Sequence, residues 1–342
     1  MKTMEKKRFG VGKIILCILA CIIFIFALGK VVFINWHSSP ENIMKFDTDN
    51  KYINNSSTPY VSAHRSGGGI EPEESMIAFE NCIENPDFNV DVFEFDLHIT
   101  KDDVLILLHD DTLERTTDCE SVLGVADAAP ENYTYDELRQ LNIGAKFENE
   151  NGEMPYADIP QNDLPYELKI LRVEDILDYL MAHGDFDYII EIKNSGELGC
   201  KGVDILYGIL QERNLLDDVI FGSFHEEVSL YVDEHYPDLK RSATIKEVLS
   251  FYTAAIRNDE DFEANYIALQ IPYNMPWRIA ANLGTARMIN YAHEHNIAVQ
   301  YWTINDEKQL EYLASIGADC IMSDYPDRLY EIIHESDNNN NN

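Results

Sequence analysis

Along most of this chain, short blocks of apolar residues alternate with longer stretches in which apolar positions recur every three or four residues. The short blocks read as strands: "YVSAH" (60–64), "VFEFDL" (92–97), "VLILLH" (104–109), "YIIEIK" (188–193), "VIFGSF" (219–224), "RSATI" (241–245), "YIALQI" (266–271), "AVQYWT" (298–303) and "CIMS" (320–323). Between most of them lie helix-length segments such as "SMIAFENCIE", "VEDILDYLMAH" and "ARMINYAHEHN". Alternation of this kind predicts a parallel sheet covered by helices, and so many units predict a closed (β/α)8 barrel of the TIM type. The pattern holds nine strands, one too many for that barrel. The connection from Leu97 to Val104 is also too short for a helical crossover, which takes about a dozen residues.

Two regions break the alternation. Residues 119–171 read as an irregular insertion with one helix near Tyr135 to Leu141. The N-terminus opens with basic "MKTMEKKRFGVGK", followed by an apolar run from Ile14 to Ile34 that is broken only by Gly29 and Lys30. That run has the roughly 20-residue length of a membrane span, and the basic flank predicts that the following domain lies outside the cytoplasm. A cleaved signal peptide is the rival, and the return of "VVFI" after Gly29 favours an uncleaved anchor. The expected organisation is therefore a cytoplasmic basic tail and single transmembrane helix (1–36), a polar linker (37–58), the barrel (59–334) and a disordered tail (335–342).

Charge sharpens the picture. Residues 1–36 hold six of the chain's 26 basic side chains and one of its 61 acidic ones. The remainder keeps 20 basic against 60 acidic, a net charge of −40, which repels nucleic acid. An anionic substrate would then need a local reversal of the field, and a bound divalent cation supplies one.

The candidate chemistry sits at strand ends. Period-two alternation in "VFEFDLHIT" puts Phe93, Phe95 and Leu97 on one face and Glu94, Asp96 and His98 on the other. In a barrel, polar groups near the carboxyl ends of strands point into the mouth, where Glu94 and Asp96 are spaced to hold a hard cation. Glu191 interrupts an otherwise apolar strand and is the expected third ligand, with Lys193 on the same face. His64 and His109 each close an apolar strand, so they are expected to face each other across the mouth as general acid and base. Arg65 offers a planar fork for phosphate oxygens. Gly67 to Gly69 are expected to leave room for a ligand.

His64-Arg65, "PEES", Glu94-x-Asp96, "HDDTLERTT", Glu191-x-Lys193, "WTIN" and "SDYP" follow the order and spacing of the glycerophosphodiester phosphodiesterases, and the resemblance runs from about Val61 to Leu329. It implies a metal-dependent barrel that hydrolyses glycerophosphodiesters to glycerol phosphate and an alcohol. Position by position, it implies that His64 and His109 are the catalytic pair and that Glu94, Asp96 and Glu191 are ligands of Mg²⁺ or Ca²⁺. Arg65 and Lys193 resemble the phosphate-binding cations, and Trp302 the aromatic wall near the glycerol. Glu73 matches a polar position without an assigned role. The chain departs from the family in having Ser66 for a common Gly and Glu74 for a common Asn. A phospholipase D-like activity on lysophospholipids is the alternative, since an anchor could hold the mouth near lipid. A catalytically silent polyol-phosphate binder is the non-enzymatic rival.

Overall fold

The computed structural model describes residues 11–37, 42–56, 58–273 and 282–340; the basic tail 1–10 and parts of the linker lie outside the described residues. Its strands are β1 (Tyr60–Ala63), β2 (Val92–Ile99), β3 (Leu105–Leu107), β4 (Asp187–Ile192), β5 (Val219–Gly222), β6 (Ala268–Pro272), β7 (Ala298–Trp302) and β8 (Cys320–Ser323). Its helices are α1 (Val11–His37), α2 (Met76–Glu84), α3 (Cys119–Leu123), α4 (Tyr135–Leu138), α5 (Val173–His183), α6 (Gly196–Arg213), α7 (Glu226–His235), α8 (Ile245–Arg257), α9 (Ala286–Glu294), α10 (Glu307–Ser315) and α11 (Pro326–Asn340).

Seven strands pair in parallel in the order β5-β4-β2-β1-β8-β7-β6, which leaves one gap between β5 and β6. Arg241 and Ser242 span it through single-residue parallel bridges to Phe221 and Ala268. The expected strand 241–245 is therefore reduced to a two-residue eighth stave, and the rest of it turns into α8. Thr244 ends it there, because its side chain and that of Glu247 cap the helix reciprocally. The result is a nearly closed parallel α/β barrel.

The surplus strand is "VLILLH". β3 pairs antiparallel with β2, Leu97 opposite Leu107, and lies off the barrel path. The five-residue connection between them, 100–104, allows a hairpin but not a crossover. The expectation that His109 closes a barrel stave is thus corrected: it follows an appended hairpin.

Outward-facing Phe93, Phe95 and Leu97 pack with Phe79 of α2, Leu177 of α5 and Leu206 of α6 in one large apolar cluster. Phe251, Ile289, Leu313 and Leu329 belong to the cluster on the other side of the barrel. Each such buried side chain contributes about 1.5–3 kcal/mol, and truncating Phe95, which is fully buried, would cost about 3–5 kcal/mol. Residues 119–171 contain only α3, α4 and short 3-10 turns, and Leu138, Leu141 and Ile170 pack with Ile106 and Leu108 of the hairpin.

Of the segment read as a linker, residues 50–54 are folded against the barrel. Tyr52 and Ile53 are buried with Val92, Ile189, Ile220, Ala268, Ala298 and Cys320, closing the amino-terminal end of the barrel. Asn50 donates to the Ile267 and Asn296 carbonyls, and Lys51 pairs with Asp187 and Asp218. Its polarity misled because Asn and Lys satisfy the frayed strand ends there. The tail expected to be disordered begins inside α11, which continues to Asn340; burial of Leu329 and Ile333 nucleates a helix that then propagates residue by residue. Residues 341 and 342 lie outside the described residues.

α1 exposes large apolar side chains from Ile15 to Leu28. Among the described residues no helix is long and apolar enough to cross a membrane.

Candidate active site

At the carboxyl end of the barrel the chain turns sharply after β1. His64, Arg65 and Ser66 form one 3-10 turn, with Arg65 at φ 47° and Gly67 at φ 83°. This turn swings the Arg65 backbone N–H onto Glu94 Oε2 at 2.7 Å and places His64 Nε2 3.9 Å from the same oxygen. The glycines after it accommodate protein neighbours, a correction to the expected ligand space. A Cβ on Gly69 would meet the Tyr325 ring at 2.6 Å, and one on Gly68 would meet Glu73 Cβ at 2.9 Å.

β2 and β4 are neighbours in a register that sets Asp96 opposite Glu191. The expected facing is realised: Glu94 and Asp96 are buried, and Lys193 Nζ reaches both Glu191 Oε1 at 2.8 Å and Asp96 Oδ1 at 3.4 Å. Arg65 Nε stands 3.6 Å from Asp96 Oδ2, too far for a hydrogen bond. Glu94, Asp96, Glu191, Arg65 and Lys193 are therefore brought together. Burial and the neighbouring Asp96 push Glu94 and Glu191 each up to about 7. Asp96 itself is held below its ordinary value: burial opposes this, but Lys193, His109, Arg65 and His64 outweigh it.

Both histidines are oriented in the same way. His64 Nδ1 lies 2.6 Å from Asp324 Oδ1, and His109 Nδ1 lies 2.6 Å from Asp110 Oδ1. Each carboxylate leaves Nε2 for other work; that of His64 is 3.2 Å from the Thr303 hydroxyl. Burial opposes the charged form of His64, but Glu94 and Asp324 raise its pKa above the ordinary value. Burial lowers that of His109, and Lys193 and Arg65 add to the effect. His98 is also buried, and burial pushes it down to about 4.

Trp302 closes β7 and meets Phe224 edge to face at 5.8 Å between centroids, while Lys193 Nζ lies 5.5 Å from the Phe224 ring centre. Sequence reasoning missed Phe224, Asp324, Asn305, Asp110 and Arg115. Asn305 donates to Asp324 Oδ2 at 2.6 Å, and Arg115 grips both Glu73 and Asp110. The signal for most was present: Asn305 lies in "WTIN", Asp324 in "SDYP", and Asp110 and Arg115 in "HDDTLERTT".

Among the described residues no group of three His, Cys, Asp or Glu side chains is gathered tightly enough to hold a metal ion. The donor chemistry nevertheless suits a hard cation. Asp96 faces Glu191 across the β2–β4 pair with Glu94 two residues before it, Asp96 Oδ2 is buried without a hydrogen-bond partner, and the raised Glu94 and Glu191 mark negative charge that Lys193 and Arg65 leave incompletely balanced.

Comparison with known proteins places this geometry. A glycerophosphodiester phosphodiesterase of Bacillus altitudinis is 25% identical over 275 residues, covering 80% of this chain and 98% of that protein. A human lysophospholipase D is 22% identical over 291 residues, covering 80% and 85%. The structure of an Oleispira antarctica phosphodiesterase in complex with its product sn-glycerol-3-phosphate has the same fold, with a TM-score of 0.60 at 19% identity over 81% of this chain and 97% of that one. Residues 64–328 match the glycerophosphoryl diester phosphodiesterase family, and the match spans every site residue named above. The chain belongs to the glycerophosphoryl diester phosphodiesterase family and is a phosphoric diester hydrolase of that family.

Proposed function

We propose that the chain hydrolyses glycerophosphodiesters to glycerol phosphate and an alcohol, with His64 and His109 as the proton-transfer pair. The observation that carries this reading is the pair of imidazoles at one barrel mouth, each fixed through Nδ1 by its own carboxylate, beside Arg65, Lys193, the buried Glu94 and Asp96 and the partly buried Glu191. Arg65 and Lys193 would bind the phosphoryl oxygens, and Trp302 would pack on the glycerol. One imidazole takes the proton of the attacking hydroxyl, from water or the substrate itself, and the other gives a proton to the departing alkoxide. Glu94, Asp96 and Glu191 would hold Mg²⁺ or Ca²⁺, which when bound supplies Lewis-acid stabilisation of phosphoryl charge. A metal-dependent assay across glycerophosphocholine, glycerophosphoethanolamine, lysophospholipids and glycerol-phosphate polymer tests the reading. Absence of turnover of every diester would leave the silent binder instead.

Phospholipase D-like hydrolysis of lysophospholipids is the second reading, favoured by the exposed Phe224 beside Trp302, which gives the rim an apolar lip. We further propose that α1 anchors the chain in the cell membrane as a single span, with the barrel outside the cytoplasm. Ile15, Leu16, Ile18, Phe24, Ile25 and Leu28 expose apolar surface on every side of the helix, which a single partner helix would cover on one stripe only. Protease added to intact cells should then remove the barrel, and survival of the barrel until lysis would reverse the topology.

A further inference from the structure

We infer that the barrel turns its amino-terminal end to the membrane and opens its mouth away from it, so that the substrate is a water-soluble phosphodiester and not a lipid of the anchoring bilayer. The inference rests on the anchor proposed above and deepens the reading of the site. Its basis is the segment that follows α1. Asn42 and Met44 exchange hydrogen bonds with Asn290, whose side-chain amide donates to the Asn42 carbonyl at 2.8 Å and accepts from the Met44 N–H at 2.9 Å. From there the chain crosses the barrel floor. Asn50 binds the carbonyls of Ile267 and Asn296, next to the starts of β6 and β7. Lys51 pairs with Asp187 at the start of β4 and with Asp218 just before β5. Asn54 donates its N–H to Asp319, just before β8, at 2.7 Å. The partners of Asn50, Lys51 and Asn54 all lie at the amino-terminal end of a stave.

The chemical groups lie at the other end. His64 follows β1, Lys193 follows β4, Phe224 follows β5, Thr303 follows β7 and Asp324 follows β8. A six-residue stave such as β4 separates the two ends by about 20 Å at 3.2–3.4 Å per residue. Four residues, 38–41, separate α1 from the docked segment, and fully extended they span at most about 14 Å. The anchor therefore holds the floor near the bilayer, and the folded floor removes the long flexible linker that would let the mouth turn back.

The test uses the full chain in lipid vesicles, with a fluorophore on Lys45→Cys at the floor or on Glu307→Cys at the mouth, Cys17, Cys21 and Cys200 being replaced by alanine. A headgroup-nitroxide lipid should quench the Lys45 probe strongly and the Glu307 probe little; equal or reversed quenching overturns the inference. Glycerophosphocholine turnover should be the same in vesicles and in detergent. Lysophosphatidylcholine in the enzyme's own vesicles should gain no rate from sharing the bilayer, and a gain also overturns the inference. A chain that fails to float with the vesicles defeats the anchor and the inference with it, while turnover of glycerophosphocholine in the same sample keeps the reading of the site separate.

Discussion

The backbone N–H of Glu74 donates to the Ser66 hydroxyl at 3.0 Å, and both residues lie in the left-handed region, Ser66 at φ 59° and Glu74 at φ 58°. These are the two positions at which the chain departs from the family's Gly and Asn, the residue types that adopt this conformation most readily. Left-handed backbone costs an ordinary residue about 1–2 kcal/mol, and here the hydroxyl returns part of it as an acceptor. Ser66→Ala keeps the strain and loses the acceptor, whereas Ser66→Gly loses both. The Ala variant should thus be less stable than the Gly variant by about 1 kcal/mol in chemical denaturation, the reverse of the usual ranking. An Ala variant as stable as Gly would show that the backbone there is not strained.

Replacing His64 or His109 with Asn should each lower kcat on unactivated glycerophosphodiesters by about 10²- to 10⁴-fold with the fold intact. The double variant should be little worse than the worse single, because the two act as one unit. A nitrophenyl diester needs no proton on departure, so it should rescue whichever variant lacks the general acid and leave the other inactive. Near-normal turnover by either single variant would defeat the proposed pair.

Chelation and dialysis should abolish turnover, and Mg²⁺ or Ca²⁺ should restore it. The cation should also raise thermal stability, by about 2.7 kcal/mol at a hundredfold excess over its Kd. Asp96→Asn and Glu191→Gln should lose most of that thermal shift, an outcome independent of catalysis. A wild-type chain with no cation-dependent shift and full activity after chelation would remove the three-carboxylate site.

Arg115 ties Glu73, from the first loop, to Asp110, which fixes His109, through four hydrogen bonds that include 2.6 Å from Nη2 to Glu73 and 2.6 Å from Nε to Asp110. Arg115→Lys keeps the charge and loses the fork. It should lower kcat about tenfold, or ~1.4 kcal/mol, while leaving KM nearly unchanged. A rise in KM alone would make Arg115 a substrate contact and not a positioning residue.

Arg241 is 2% exposed and binds Asp233 and Glu247 through paired nitrogens at 2.7–2.9 Å, at the two-residue stave. Arg241→Ala should destabilise by about 3–5 kcal/mol, because it leaves two carboxylates facing a buried gap. Burial raises the pKa of Glu247, but Arg241 and the Thr244 backbone lower it by more. A carboxylate held below its unfolded value stabilises the fold above that value and loses the contribution as pH falls through the folded one. Acid denaturation of the wild type should therefore steepen below the ordinary glutamate range, and the Ala variant should lack that component.

The barrel was legible because buried staves and covering helices have different periods, and the β2 acids because alternation assigns a face. The ninth strand was not, since "VLILLH" has the composition of a buried stave and its direction is set by a connection too short to cross over. The floor segment escaped notice because Asn50, Lys51 and Asn54 are polar for a structural reason, pairing with strand ends contributed from far along the chain. Asp324 and Arg115 were hidden for a related reason: they act on other side chains, and a local pattern cannot report that Arg115 meets Glu73 42 positions away or that Asp324 meets His64 260 positions away.

The contact between His64 and Asp324 joins residues 260 positions apart and depends on β1 meeting β8, the first and last staves. One of the two imidazoles therefore gains its orienting carboxylate only when the chain is essentially complete. A nascent chain can carry β2, the hairpin and β4 in place and still lack the oriented form of the proposed pair. Long-range closure of this kind comes late in assembly. With the imidazoles acting as proposed, activity begins only once β1 and β8 have met.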